Sequence, residues 1–184
     1  VFPFGVGGIP ADYIPFTFNK TTAGSSDISM STWTTTPQNM PHPDISNVAA
    51  VNSMICTADS VTSAIDRFWD IQSTATADLT FSYLGSENTI TGQTDTLKAQ
   101  HWNGASWDAQ AGPGDPGVTS GIGTVGPIPG QTTFSPWILT RALRVTASAI
   151  PATICPGSSI QLDATPFGGS GTYTYSWTSV PVGF

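Results

Sequence analysis

The amino-acid sequence predicts an all-β protein, an antiparallel β-sandwich of jelly-roll or immunoglobulin-like type followed by the first strands of a second immunoglobulin-like sandwich. Composition is the first observation: the 184 residues include 27 Thr, 20 Ser, 19 Gly, 15 Pro and 10% aromatic residues. β-Branched and aromatic residues favour strands, and this aromatic content separates the chain from disordered polar sequences. The second observation is a series of short runs bounded by turn residues, and the third is the near absence of helical periodicity.

Seven short runs have the composition or the two-residue alternation of half-buried strands. They are residues 13–18, 28–33, 67–71, 78–84, 96–102, 132–139 and 141–147. In the fourth run, for example, Leu79, Phe81 and Tyr83 share one face. Several short strands with turn signals between them are typical of an antiparallel sandwich or barrel.

The dipeptide Asn103-Gly104 lies between Trp102 and Trp107 and predicts a tight hairpin. A type I′ turn needs positive φ at both central residues, which Asn and Gly tolerate. We therefore expect a two-residue turn with one tryptophan on each arm.

Residues 111–130 contain seven Gly and four Pro. Proline cannot donate to a strand ladder and glycine weakens one, so this segment cannot form a regular central strand. The composition predicts a long loop or a set of turns.

A second unit is predicted to begin at residue 145, which divides the chain into a sandwich module at 1–144 and a second unit at 145–184. A Pro-Gly turn at 156–157 separates two strand-like runs, and Tyr173, Tyr175 and Trp177 then alternate with polar residues. Three strands are too few to close a sandwich, so we expect this unit to be incomplete.

Charge and hydropathy exclude two classes of partner. The chain carries 5 basic and 12 acidic residues, a net charge of −7, whereas nucleic-acid binding depends on clustered Lys and Arg. No stretch approaches the about 18 consecutive apolar residues of a transmembrane helix. We expect neither nucleic-acid binding nor a membrane span, and the composition favours work outside the cell.

Catalytic motifs are missing from the sequence, which therefore predicts a protein that is not an enzyme. Neither a phosphate-binding loop nor a nucleophile elbow occurs. His42 lies between two prolines, and His101 fits a strand residue better than a base. Asp66 and Asp70 illustrate a possible glycosidase pair, but such a pair needs one raised pKa and a fixed opposing partner.

Two weaker binding sites remain open, with no cofactor expected beyond a possible calcium ion. Asp108 and Asp115 flank a Gly/Pro-rich segment whose carbonyls could complete a shell of hard oxygen ligands for calcium, although EF-hand spacing is missing. Trp102, Trp107 and Trp137 could form a platform that stacks on a sugar, the alternative being that these rings fill the core.

Cys56 and Cys155 lie too far apart in sequence for a CxxC zinc or redox motif. Three interpretations stay open: a disulfide between them, two small buried hydrophobic residues, or a partner outside this fragment. On the chain-entropy model a disulfide closing so long a loop would stabilise the fold by about 4 to 5 kcal/mol.

The opening Phe2-Pro3-Phe4-Gly5 is followed by Tyr13-Ile14-Pro15-Phe16-Thr17-Phe18. These motifs are similar to the pattern FPxG…YxPxxxxF of a β-sandwich module found in large surface and gliding-associated proteins of Bacteroidetes. Further elements follow in the same order at 67–71, 79–83, 101–107 and 133–137. The tail at 154–158 and 168–177 is similar to the first half of the PKD-like or immunoglobulin-like repeats of the same proteins.

This resemblance implies a non-catalytic structural or adhesive module of an adhesin, stalk or filament, exported by the type IX route to the cell surface or medium. Both ends of the chain would then be interior to a longer multidomain protein. The expected partners are other domains of the same polypeptide, neighbouring subunits or surface glycans. The alternative is a carbohydrate-binding module of a secreted hydrolase.

The resemblance also points to O-glycosylation. Asp59-Ser60-Val61 and Asp95-Thr96-Leu97 fit the Asp-(Ser/Thr)-apolar sequon that Bacteroidetes use on exported proteins. Ser60 and Thr96 are therefore the candidate modified residues.

Overall fold

The computed structural model describes residues 1–5, 7–8, 12–42, 48, 63–90, 92–134, 136–150, 153, 155, 157–167 and 174–178. The strands are β1 Phe2–Gly5, β2 Tyr13–Lys20, β3 Ile28–Thr34, β4 Arg67–Ser73, β5 Ala77–Leu84, β6 Thr96–His101, β7 Ala111–Pro116, β8 Ile122–Gln131, β9 Trp137–Arg141, β10 Arg144–Ile150 and β11 Gln161–Phe167. A 3-10 turn, Gly85–Glu87, follows β5.

Two antiparallel sheets pack face to face, which confirms the predicted all-β sandwich. One sheet has the order β1-β2-β5-β8 and the other the order β3-β4-β9-β6-β7. Neighbours in space are therefore distant in sequence, as when β4 pairs with β9 through Trp69 and Trp137.

The main core lies between these sheets and is built on aromatic rings. Phe81 of the four-stranded sheet meets Trp69 edge-on at a centroid distance of 5.1 Å and Trp137 at 5.6 Å, both from the five-stranded sheet. Phe16 adds a second edge contact to Phe81 at 5.1 Å. Aromatic pairs in this geometry stabilise by about 0.5–1.5 kcal/mol beyond the area that they bury.

The five-stranded sheet is also covered on its outer face. Phe68 and Ile138 point away from the main core and form a second cluster with Trp102 and Trp107. The ring of Phe68 stacks on that of Trp107 at 6.5 Å. Consecutive residues of the central strands are therefore buried on opposite faces, as expected only for a sheet with a layer on each side.

The hairpin after β6 carries one tryptophan on each arm, as predicted, but its turn is longer than predicted. Trp102 pairs with Trp107 across four intervening residues. Gly104 has a φ of 100° whereas Asn103 does not have a positive φ. The Asn103 side chain instead accepts hydrogen bonds from the backbone N–H groups of Ala105 and Ser106, both at 3.0 Å. An Asx turn therefore replaces the expected type I′ turn.

The prediction of a loop over residues 111–130 is wrong, because most of the segment forms β7 and β8. Each of them is the last strand of its sheet, a position in which a proline leaves no ladder bond unmade. Register shifts interrupt the pairing of β8 with β5 and of β7 with β6. The composition excludes a regular central strand, as predicted, but permits irregular edge strands.

β10 and β11 pair with each other over seven residues and form a separate two-stranded ribbon. The sequence predicts a further strand that includes residues 174–178, but these residues belong to no paired strand. Alternation alone does not supply a pairing partner, which a strand requires. Tyr175 and Trp177 are 51% and 43% exposed, and Tyr173 lies outside the described residues. The domain division after residue 144 stays a prediction.

Candidate functional site

A buried ion pair connects the two sheets. The Arg67 side chain, at the start of β4, is 1% exposed, and that of Glu87, in the 3-10 turn after β5, is 5% exposed. Nε of Arg67 donates to Oε2 of Glu87 at 2.9 Å and Nη2 donates to Oε1 at 2.5 Å. A bidentate pair of this kind is the geometry that best offsets the cost of burying two charges.

Neighbouring groups form further hydrogen bonds with both members of this pair. Arg67 also donates to the hydroxyl groups of Thr32 and Thr34 on β3, each at 2.9 Å. The backbone N–H of Leu84 donates to Oε2 of Glu87 at 3.0 Å. Buried groups engaged by this many hydrogen bonds hold the sheets together.

Asp66, which precedes β4, is also buried and is 4% exposed. Thr89 Oγ1 donates to both of its carboxylate oxygens, at 3.1 and 3.0 Å. Burial raises the pKa of Asp66 above its usual range and the charge of Glu87 adds to this, whereas the hydrogen bond from Thr89 opposes it. A raised pKa suits a general acid, but a carboxyl group this inaccessible cannot reach a glycosidic oxygen.

An accessible polar cluster lies at the hairpin that follows β6. Nδ1 of His101 lies 2.7 Å from Oδ2 of Asp108, and Nδ2 of Asn103 donates to Oδ1 of Asp108 at 2.7 Å. The His101 side chain is 8% exposed whereas that of Asp108 is 44% exposed. The hairpin thus presents one oriented carboxylate at its surface.

This carboxylate opens into a surface pocket of ≈ 400 Å³. The hairpin contributes His101, Asn103, Gly104 and Asp108 to its wall, and the segment before β9 contributes Thr133 and Phe134. The ring of Phe134 packs against that of Phe18 on β2, with a ring centroid distance of 5.7 Å. The pocket therefore combines a charged acceptor, a hydroxyl side chain and an aromatic ring.

The three tryptophans proposed as a sugar platform are in the interior. Trp102, Trp107 and Trp137 are 1%, 2% and 1% exposed. Stacking requires an open ring face, so the structure contradicts a platform at these positions and favours their alternative role as core residues.

The two calcium candidates do not share one set of contacts. Asp108 contacts His101 and Asn103, whereas Oδ2 of Asp115, on β7, accepts from the backbone N–H of Gly126 at 3.0 Å. Within the described ranges, no three His, Cys, Asp or Glu side chains are grouped as metal ligands. The proposed calcium site stays a prediction without a ligand shell.

The remaining predicted sites are only partly covered by the structure. Thr96 is exposed at the start of β6, where a glycan has access. Cys155 is exposed and has no disulfide partner in the part of the chain that is described. Ser60 and Cys56 lie outside the described residues.

Sequence inspection missed both polar pairs, although one of them had a readable signal. His101-Trp102 and Trp107-Asp108 are symmetric about the turn, so antiparallel pairing of the tryptophans places His101 opposite Asp108. Arg67 and Glu87 had no such signal, because their contact depends on how the two sheets pack.

Comparisons with protein-family models, with curated proteins and with solved structures find no match to this chain. Among the described residues there is no helix of the length and apolar character needed to cross a bilayer.

Proposed function

We propose that this chain is a non-catalytic structural and adhesive module of a large secreted or cell-surface multidomain protein. The observation that carries the proposal is that buried charged and aromatic side chains pack the sandwich. Arg67 and Glu87 join the two sheets, and Trp69, Trp102 and Trp137 are buried in the aromatic clusters. Arg67 and Glu87, which are charged side chains of the kind that enzymes use in clefts, here support the packing of the sandwich.

Composition supports a role outside the cell. Only 9% of residues are charged, whereas Ser and Thr together account for 47 of the 184 residues. The motif resemblance to Bacteroidetes surface proteins, with its implied type IX export, agrees with this location and is itself part of the proposal. Other domains of the same polypeptide or neighbouring subunits would be the partners.

The first experiment locates the protein and tests for catalysis. Antibodies raised against residues 1–184 should label intact, non-permeabilised cells of the source organism or detect the protein in the medium. The purified chain should release no product from a panel of polysaccharide, peptide and ester substrates. Exclusive recovery from the cytoplasm, or turnover of any substrate that is lost on unfolding, would overturn the proposal.

The alternative is a carbohydrate-binding module of a secreted hydrolase. Burial of the three tryptophans removes the platform on which that hypothesis was based. Retention of the folded chain on insoluble cellulose, chitin or xylan, together with a hydrolase domain in the same polypeptide, would favour this alternative.

O-Glycosylation at Thr96 and Ser60 is a separate part of the proposal. Thr96 is exposed, and glycans would help to keep a weakly charged surface soluble. Intact-mass analysis of native material should show additional hexose-containing mass that disappears in the double variant Ser60→Ala/Thr96→Ala. A native mass equal to that of the unmodified polypeptide would contradict it.

A further inference from the structure

The pocket beside Asp108 has the size and chemistry of a small-molecule site. Its volume of ≈ 400 Å³ lies within the range of about 300–1,000 Å³ that is typical of ligand pockets. Such pockets combine an apolar or aromatic lining with a few oriented polar groups. Here Phe134 supplies the aromatic surface and Asp108 the oriented acceptor.

The Asp108 carboxylate is held in place but retains acceptor capacity. His101 occupies a position at one oxygen and Asn103 at the other, whereas an ionised carboxylate has about four lone-pair sites. Because the side chain is 44% exposed, the remaining lone pairs are accessible from the pocket. A ligand with two adjacent hydroxyl groups could donate to both oxygens without displacing either protein group.

The segment before β9 contributes an aromatic ring to the pocket wall. Phe134 is partly buried against Phe18, so its ring is held in position before any ligand arrives. Gly104 leaves open space beside the pocket, since no atom lies within 4 Å of the position that a Cβ would occupy. The hairpin side of the pocket is therefore open at Gly104.

These features favour one class of ligand. Sugars present hydroxyl groups at the ring edge and C–H groups on the ring face, which match a fixed carboxylate and an aromatic ring. An anionic ligand would be repelled by Asp108 and by the net charge of −7.

We propose that the pocket formed by Asp108, Asn103, Gly104, Thr133 and Phe134 binds a neutral sugar residue of a surface glycan. This inference rests on the proposed adhesive function and specifies its ligand. Asp108 accepts hydrogen bonds from two sugar hydroxyl groups, and Phe134 packs against the sugar ring. His101 and Asn103 are positioning residues that orient the carboxylate.

The test is an NMR titration of the ¹⁵N-labelled 184-residue chain with glucose, galactose, mannose and N-acetylglucosamine. At least one sugar should shift the resonances of Gly104, the Asn103 side-chain amide and Thr133, and leave those of β10 and β11 unchanged. Asp108→Asn should weaken that binding about tenfold or more, because a hydrogen bond to a charged group is lost.

Two further variants keep the experiment interpretable. Asp163→Asn removes an exposed carboxylate on β11 and should leave sugar binding unchanged. Phe134→Leu retains an apolar contact with Phe18 but removes the ring, and should weaken binding even if Asp108→Asn disturbs the hairpin. Each variant should give the dispersed spectrum of a folded protein.

Three results would overturn the proposal: no shift with any of the four sugars, shifts that survive both pocket variants, or pocket shifts with arginine methyl ester instead of the sugars. Failure here is distinguishable from failure of the proposed function. A chain that labels the cell surface but binds no sugar keeps its structural role and loses only this ligand.

Discussion

The two-layer region formed by β1–β9 and the ribbon of β10 and β11 use the same kinds of residue in very different surroundings. Leu139 on β9 is fully buried, whereas Val145 on β10 is 58% exposed and Ile150 is 69% exposed. The ribbon nevertheless pairs as regularly as β3 does with β4 in the two-layer region, each pairing having seven residue pairs and no register shift. Hydrogen-bonded pairing and burial are therefore separate properties of a strand.

A strand becomes part of a core when a second layer packs on it, and hydrogen-bonded pairing with a neighbouring strand is not sufficient. Phe68 and Trp69 are both buried because β4 has side chains packed on both of its faces. An isolated two-stranded ribbon buries little apolar surface and is marginally stable in water. Substitutions in the two regions should therefore differ in how much they change the free energy of unfolding.

The largest difference is expected at the ion pair. Glu87→Gln should lower the free energy of unfolding by about 3–5 kcal/mol, because it leaves the buried Arg67 charge uncompensated. The matched change Asp163→Asn, on the exposed ribbon, should stay within about 0.5 kcal/mol of the parent. Urea denaturation followed by tryptophan fluorescence measures both. Equal losses in the two variants would contradict the assignment of the pair as a connection between sheets.

A smaller loss is expected where β8 approaches β5 closely. A Cβ at Gly123 would lie 2.1 Å from Cζ of Tyr83, a ring that is fully buried. Gly123→Ala should therefore cost about 1–3 kcal/mol through overpacking.

Gly8, which is exposed and has no atom within 4 Å of its Cβ position, supplies the control. Gly8→Ala should change stability by less than about 0.5 kcal/mol in the same denaturation assay. A tolerated Gly123→Ala would show that Tyr83 has room to move and that the two sheet strands pack less tightly than the structure indicates.

Burial of Asp66 should make the stability of the two-layer region depend on pH. Because the pKa of Asp66 is raised, the folded state binds the carboxyl proton more tightly than the unfolded state does. Protonation of Asp66 therefore stabilises the fold, and this stabilisation is fully present below the unfolded-state pKa. Stability is lost as the pH rises through the higher folded-state pKa. Asp66→Asn should remove this loss, so that the variant gains stability relative to the parent as pH rises from about 3 to about 7.

Thermal unfolding across this pH range measures the effect, with Asp163→Asn as the exposed comparison. That variant should leave the slope of stability against pH unchanged. Parallel profiles for Asp66→Asn and the parent would mean that burial of Asp66 is not coupled to folding.

The smallest effect is expected at Trp177, which is 43% exposed. Trp177→Ala should alter the free energy of unfolding of the 184-residue chain by no more than about 0.5 kcal/mol. A loss above about 2 kcal/mol would contradict this prediction, because it would mean that Trp177 packs as a core residue does.

Local pattern predicted several elements closely. The run predicted at 78–84 is β5, Ala77–Leu84, and the run at 28–33 is β3, Ile28–Thr34. The run predicted at 132–139 instead starts as β9 at Trp137. Composition cannot locate the first paired residue, because pairing depends on a partner strand elsewhere in the chain.

The local sequence pattern was enough to predict the all-β fold class and the placement of one tryptophan on each arm of the hairpin. These properties depend on alternation and turn chemistry, which act over a few residues. Only the tertiary structure decided that Gly/Pro-rich segments become edge strands, that Trp102 and Trp107 cover the outer face, and that Arg67 meets Glu87. Each of these depends on the order and packing of strands far apart in sequence, and a local pattern contains no information about which distant strand becomes the neighbour.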